Sequence, residues 1–248
     1  MPKSLYDAAE SPYASAGYYL ARPLQHGPHA SAKRIPERII SASSCLCEFF
    51  PGPWAIRWSS DDRDRRERSA AVFGIPAAKI DGVVEWATAS FQKIVGWPNT
   101  FYTLDAALAA RAEFLAKDLD VNVFGLGLHH DDTDRFLREA APDERKSGYS
   151  PTGETGIYQC LKTQSRIAPG GKQIGFELLA MMFGLLTCSW LCNGLEAVCA
   201  EQLQVQTNEY GLIAEYADAR RCAEYVSRDE VGAEPGLWLP WLITRYSA

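Results

Sequence analysis

The 248-residue chain has no excess of positive charge: 25 Lys and Arg stand against 31 Asp and Glu, a formal net charge of −6. Without a basic footprint it does not read as a general binder of nucleic-acid phosphates, and its acidic balance favours basic partners. Long hydrophobic runs are missing as well. The longest apolar candidate, Ile174 to Cys192, contains Glu177 and two glycines. It falls short of the roughly 18 to 20 uninterrupted apolar residues that a membrane span needs, so it reads as buried core and no membrane partner is expected. The first 23 residues hold one early lysine and no continuous apolar segment, which does not read as a secretory signal.

Catalytic and cofactor signatures are also missing. There is no H-E-x-x-H, no C-x-x-C, no G-x-S-x-G, no Walker spacing and no G-x-G-x-x-G opening a dinucleotide fold. No repeat with a period of about 20 to 50 residues is visible. The seven cysteines are an odd number, and most lie in apolar segments where a free thiol acts as a small hydrophobe. A reducing, cytoplasmic setting fits them best. No cofactor is implied.

What is present is enough apolar residue, 47% against 23% charged, to bury a core without crosslinks or metals. Residues 1–37 are rich in Ala, Ser, Pro and Tyr, and their five prolines predict an irregular arm docked on a single domain over 38–248. From Arg38 the run to Phe50, the break Pro51-Gly52-Pro53 and the run Trp54 to Trp58 predict two strands and a turn. Ser59 or Ser60 then caps a helix whose Asp61, Asp62 and Asp64 face Arg65, Arg66 and Arg68 at i,i+4.

Helical spacing of Ile80, Val83, Val84, Ala87, Phe91, Ile94 and Val95 predicts an amphipathic helix over 77–95, and a second is expected over 104–117. Residues 120–128 read as a short strand in which Gly125 and Gly127 suggest the close approach of another backbone. Asp131 or Asp132 caps a short helix running to Ala140. Residues 142–156 read as a loop, and 172–186 as a strand, a hairpin or a buried helix. Helices are expected again over 189–203 and 216–227. A final strand over 237–246 is placed on an edge or at a bulge by Pro240. The fold class expected is α+β: a mixed or antiparallel sheet flanked by helices, with the irregular N-terminal arm.

The densest polar constellation is His129-His130-Asp131-Asp132-Thr133-Asp134, whose imidazoles and carboxylates are the donor types that hold a divalent metal. The structural reading is favoured: the aspartates complement the positive end of a helix, and no metal is assigned. Cys188 and Cys192 stand at i,i+4 with Cys199 further along, and are read as buried thiols. Pro169-Gly170-Gly171-Lys172 is more economically a turn than a phosphate cradle. Of the seven tryptophans, Trp190, Trp238 and Trp241 are expected inside, whereas Trp97 in its Gly-Trp-Pro turn is the better candidate for a surface anchor.

In order along the chain, Ser41 to Cys45, Pro51 to Trp58, Val123 to Leu128, Ser189 to Leu195, Asn208 to Leu212 and Gly236 to Trp241 are segments in which the protein resembles bacterial immunity proteins of interbacterial toxin systems. The resemblance spans about residues 38–246 and consists of structural landmarks rather than a catalytic signature. It implies a cytoplasmic antidote that binds a cognate toxin domain and blocks it, with no reaction of its own. The acidic balance matches a basic toxin, and the contact surface is expected at Trp97, Asp131, Asp132 and Asp134. The alternative is a metal-dependent hydrolase centred on His129, His130 and Asp131.

Overall fold

The run from Tyr13 to Arg22 has three tyrosines, several alanines and no proline, and it forms an eleven-residue strand, β1 (Tyr13–Pro23). Over residues 13–23 this corrects the irregular arm expected over 1–37. Proline bars a strand only where it falls inside the ladder, and here Pro12 precedes the strand and Pro23 ends it. The computed structural model describes residues 11–23, 39–52, 63–97, 99–115, 120–140, 155–182 and 185–247. The rest of the arm, the strand expected at 54–58, the caps Ser59 and Ser60 with Asp61 and Asp62, and the loop over 142–154 lie outside the described residues.

After β1 the chain forms β2 (Cys47–Phe50), α1 (Arg63–Val72), α2 (Ile80–Ser90), β3 (Val95–Gly96), β4 (Thr100–Phe101), α3 (Leu104–Phe114), β5 (Asn122–His129) and α4 (His130–Glu139). There follow α5 (Gly156–Lys162), β6 (Lys172–Met182), β7 (Leu185–Ser189), α6 (Leu195–Leu203), α7 (Tyr216–Val226) and β8 (Leu237–Tyr246). The strands make one sheet in the order β3-β4-β1-β5-β8-β6-β7, with β2 also pairing β1. Every strand pair is antiparallel. The fold is therefore α+β.

Successive side chains of a strand point to opposite faces, and two apolar cores result. Tyr19 and Ala21 of β1, with Phe124, Leu126 and Leu128 of β5, enter a core shared with α4, α5, α6 and α7. Tyr18, Leu20 and Val123 enter another, shared with α1, α2 and α3. Trp190, Trp238 and Trp241 are buried, as expected. Within β1 the register to β5 shifts between Ser15 and Tyr18. Gly17 sits there at φ +104, and a Cβ on it would lie 2.1 Å from Thr100 Cγ2. Only glycine fits that bulge.

Several local expectations move once neighbours are present. Helix α2 ends at Ser90, because Phe91 is extended and Gln92 turns at φ 62, so Val95 pairs in β3 instead of continuing the helix. The apolar stretch after Lys172 is a hairpin of β6 and β7. Cys188 lies in β7 and Cys192 in the turn after it, so they share no helical face. Instead the Cys192 thiol hydrogen-bonds with Cys45, and that of Cys199 with Cys222. None of the seven cysteines, all among the described residues, is joined in a disulfide.

Gly125 is approached by Ile167 and by the rings of Tyr18 and Tyr246, at 3.1 to 3.2 Å from where its Cβ would stand, rather than by another backbone. Strand β8 is interior, not an edge, lying between β5 and β6. Pro240 pairs with Leu178 of β6. On the other side the β5 ladder stops at Trp241, one residue short of Pro240, so the missing N–H falls beyond that ladder.

Candidate functional site

Strand β5 runs straight into α4, and the junction gathers the polar cluster. His129, rather than Asp131 or Asp132, is the residue that caps α4: its Nδ1 accepts from the backbone N–H of Asp131 at 3.3 Å. An acceptor at Nδ1 puts the ring proton on Nε2. Burial, and then the neighbouring His130, hold His129 below the usual histidine range. The direction suits the cap, since a protonated ring would lose its acceptor and add positive charge to the positive end of the helix.

The His129 ring is packed on three sides. It stacks on Tyr216 with centroids 4.5 Å apart, lies 4.2 Å from the His130 ring, and meets Tyr13 edge-on at 5.6 Å. Tyr13 is there because β1 pairs it with His129. The Tyr216 hydroxyl donates to Asp132 Oδ2 at 2.7 Å, and Asp132 is buried. Burial first, and then this hydrogen bond to Asp132, push the Tyr216 phenol upward. His130 lies with Nδ1 3.2 Å from the Pro12 carbonyl and Nε2 3.2 Å from Asp131 Oδ1. Thr133 donates back to the His129 carbonyl at 3.0 Å.

Among the described residues His129, His130 and Asp131 form the one group whose ligand atoms could converge on a metal, all within 4.8 Å of one another. That spacing suits a cation. Its setting does not, because the trio surrounds the N-terminus of a helix, where the dipole opposes positive charge, and His129 Nδ1 is engaged as a cap.

The residues expected at a contact surface separate. Asp131 and Asp134 are exposed at the start of α4. Asp132 is turned inward to Tyr216 and so cannot be offered to a partner. Trp97 is half-buried beside β3, with β4 and β1 between that strand and β5. Its carbonyl accepts from Gly156 N–H at 2.7 Å.

A second polar group lies inside the core and has no motif to announce it. Glu177 of β6 is completely buried. Its Oε1 accepts from Ser41 Oγ at 2.5 Å and its Oε2 from the Ala42 N–H at 2.9 Å, and the Ser189 hydroxyl also bonds it. Burial raises its acid from 4.5 to about 7 against the opposing pull of these three hydrogen bonds. The one hint in the sequence is its place as the lone carboxylate in a long apolar stretch.

Three cavities of about 720, 840 and 440 Å³ open around the segment 164–171. The first has Tyr13 and Tyr216 in its wall, and the third has His130 and Asp134.

Replacing Tyr216 with phenylalanine removes the described side-chain donor to a buried carboxylate. The expected cost is about 1–3 kcal/mol of stability in urea unfolding. The same change in an Asp132→Leu background is expected to cost much less, because the acceptor is already gone.

No family model matches the chain, and no curated protein or solved structure matches it.

Proposed function

We propose that this is a cytoplasmic immunity protein that neutralises a cognate bacterial toxin domain by occupying its surface. The observation that carries the proposal is the closed bonding of the β5–α4 corner. His129 is spent on the helix cap and Asp132 on Tyr216. What remains outward at the start of α4 is Asp131, beside the exposed His130 that it bonds, and Asp134. A preformed charged face of this kind speeds association with a complementary partner and fixes its register. With a net charge of −6, the partner it suits is basic. Among the described residues no helix is long and apolar enough to cross a membrane.

The test is whether a toxin domain is encoded beside the gene and, with that domain co-expressed, measurement of association rate and toxin inhibition. Reversing both charges, Asp131→Lys with Asp134→Lys, is expected to slow association about tenfold or more and to flatten its salt dependence. An unchanged rate, or no complex at all with the neighbouring toxin, removes the proposal. Trp97→Ala asks separately whether contact extends to the β3 edge.

The 4.8 Å convergence of His129, His130 and Asp131 is the observation that favours the second reading, a metal-dependent hydrolase. Under that reading Zn²⁺ or Mn²⁺ binds stoichiometrically in calorimetry and His130→Ala abolishes the binding. Under the immunity reading, chelator treatment leaves toxin inhibition intact.

A further inference from the structure

We propose that the cavity of about 720 Å³ between β1, the start of β6 and the start of α7 is a binding site for a free α-amino acid with an aromatic side chain. Its volume lies in the range of about 300–1,000 Å³ usual for small-molecule sites. The proposal does not depend on the immunity reading, which concerns the acidic face at α4.

One wall is aromatic. Tyr13, Phe176 and Tyr216 line the cavity and touch one another, with ring centroids 5.8, 6.1 and 5.7 Å apart. Tyr13 and Phe176 are buried and Tyr216 is half-buried with one face stacked on His129, so Tyr216 presents the accessible part of this wall. The charges come in one of each sign: Lys172 is the single cation of the lining and Glu215 the single anion. Both are exposed, and neither enters an ion pair among the described residues.

The third observation is a polar group without a partner. Thr244 of β8 lines the cavity at 2% exposure, and among the described residues its hydroxyl makes no hydrogen bond. Buried hydroxyls are ordinarily satisfied, so this orphan, whose oxygen is sealed from solvent, is an unmet polar group in the wall rather than a contact already open to the cavity.

Charge decides between ligand classes. A phosphate ester, with one lysine to meet it, is opposed by Glu215, and a neutral hydrocarbon leaves Lys172 and Glu215 unanswered. A molecule carrying an ammonium and a carboxylate on one carbon, with a ring attached, answers each: carboxylate toward Lys172, ammonium toward Glu215, ring on the aromatic wall.

Calorimetry on the full chain with L-phenylalanine, phenethylamine and 3-phenylpropionate tests this, the two analogues each lacking one charge. The expected result is saturable one-site binding of L-phenylalanine, with each analogue at least about tenfold weaker. Lys172→Met is expected to weaken L-phenylalanine about tenfold and leave phenethylamine unchanged. Glu215→Gln is expected to weaken L-phenylalanine and leave 3-phenylpropionate unchanged. Both positions are exposed, so the variants fold, and their thermal unfolding checks it. The proposal is overturned by absence of saturable binding up to about 10 mM, by equal binding of all three compounds, by indifference to both substitutions, or by tighter binding of adenosine monophosphate than of L-phenylalanine.

Discussion

Glu177→Gln gains on the native protein by about 3 kcal/mol of unfolding free energy as the pH is raised from about 4.5 to above about 7. The magnitude follows from a carboxyl whose acid rises from 4.5 to about 7 on folding, at about 1.4 kcal/mol per unit. The folded state keeps its proton through a window in which the unfolded chain has lost it. The group's contribution is therefore complete below the unfolded value of 4.5, and it is lost as the pH rises through about 7. His129 works in the other direction. Its folded value lies below the ordinary 6.5, so its contribution is present above 6.5 and lost as the pH falls through the folded value.

Because the two slopes oppose each other, the pH profile of the native protein alone does not isolate Glu177, whereas its difference from the glutamine variant cancels His129. Urea unfolding of both proteins across that range is the measurement. A difference that stays flat with pH would mean that folding does not raise the acid of Glu177. Glutamine is the right substitution because its carbonyl can still accept from Ala42 N–H, while its amide can donate to the Ser41 hydroxyl.

Trp241→Ala is expected to destabilise the fold by about 3–5 kcal/mol, the range for deleting a fully buried large aromatic. Trp241 has no exposed surface, its indole N–H donates to the Leu179 carbonyl at 3.3 Å, and its ring meets Phe136 of α4 edge-on at 5.5 Å. It also stands where β8 pairs with both β5 and β6, opposite Leu128 and Glu177. The cavity left behind therefore touches both ladders of the central strand, and collapse around it is restricted from either side. Thermal and chemical unfolding should both report the loss. A cost below about 1 kcal/mol would show that the core repacks there.

Much of the secondary structure was legible because it is local. The helical spacing behind α2, the Ala-rich run of α3 and the stretch that forms α7 each lie within one window of sequence, and all three helices form. At α4 the start was legible but its cap was not. An aspartate is the usual capping acceptor, yet His129 takes the role because β1 and Tyr216 pin its ring with Nδ1 toward the helix. Composition hides strand β1, because a proline acts by its position and here Pro12 precedes the strand and Pro23 ends it. The edge assigned to β8 failed for a related reason: Pro240 forbids one ladder bond, and the short reach of β5 leaves no bond to forbid.

The candidate sites divide in the same way. The His129–Asp134 cluster is contiguous, so its chemistry could be read directly, but which of its carboxylates face outward could not. Tyr216 bonds Asp132 across 84 positions of sequence, and Ser41 bonds Glu177 across 136. Nothing near Glu177 in the chain announces its partners.

By itself the sequence determined the acidic balance, the lack of a spanning apolar run, the periods that make helices and strands, and the burial of Trp190, Trp238 and Trp241. Only the tertiary structure decided that β1 lies beside β5, that Asp132 turns inward, that Glu177 is held by the Ser41 segment, and that Lys172, Glu215 and Thr244 share one cavity. The physical reason is that helical and strand periodicity depend on neighbours a few residues away. Strand order and side-chain partners are set by the packing of the whole sheet, where many weak contacts between distant segments are chosen together.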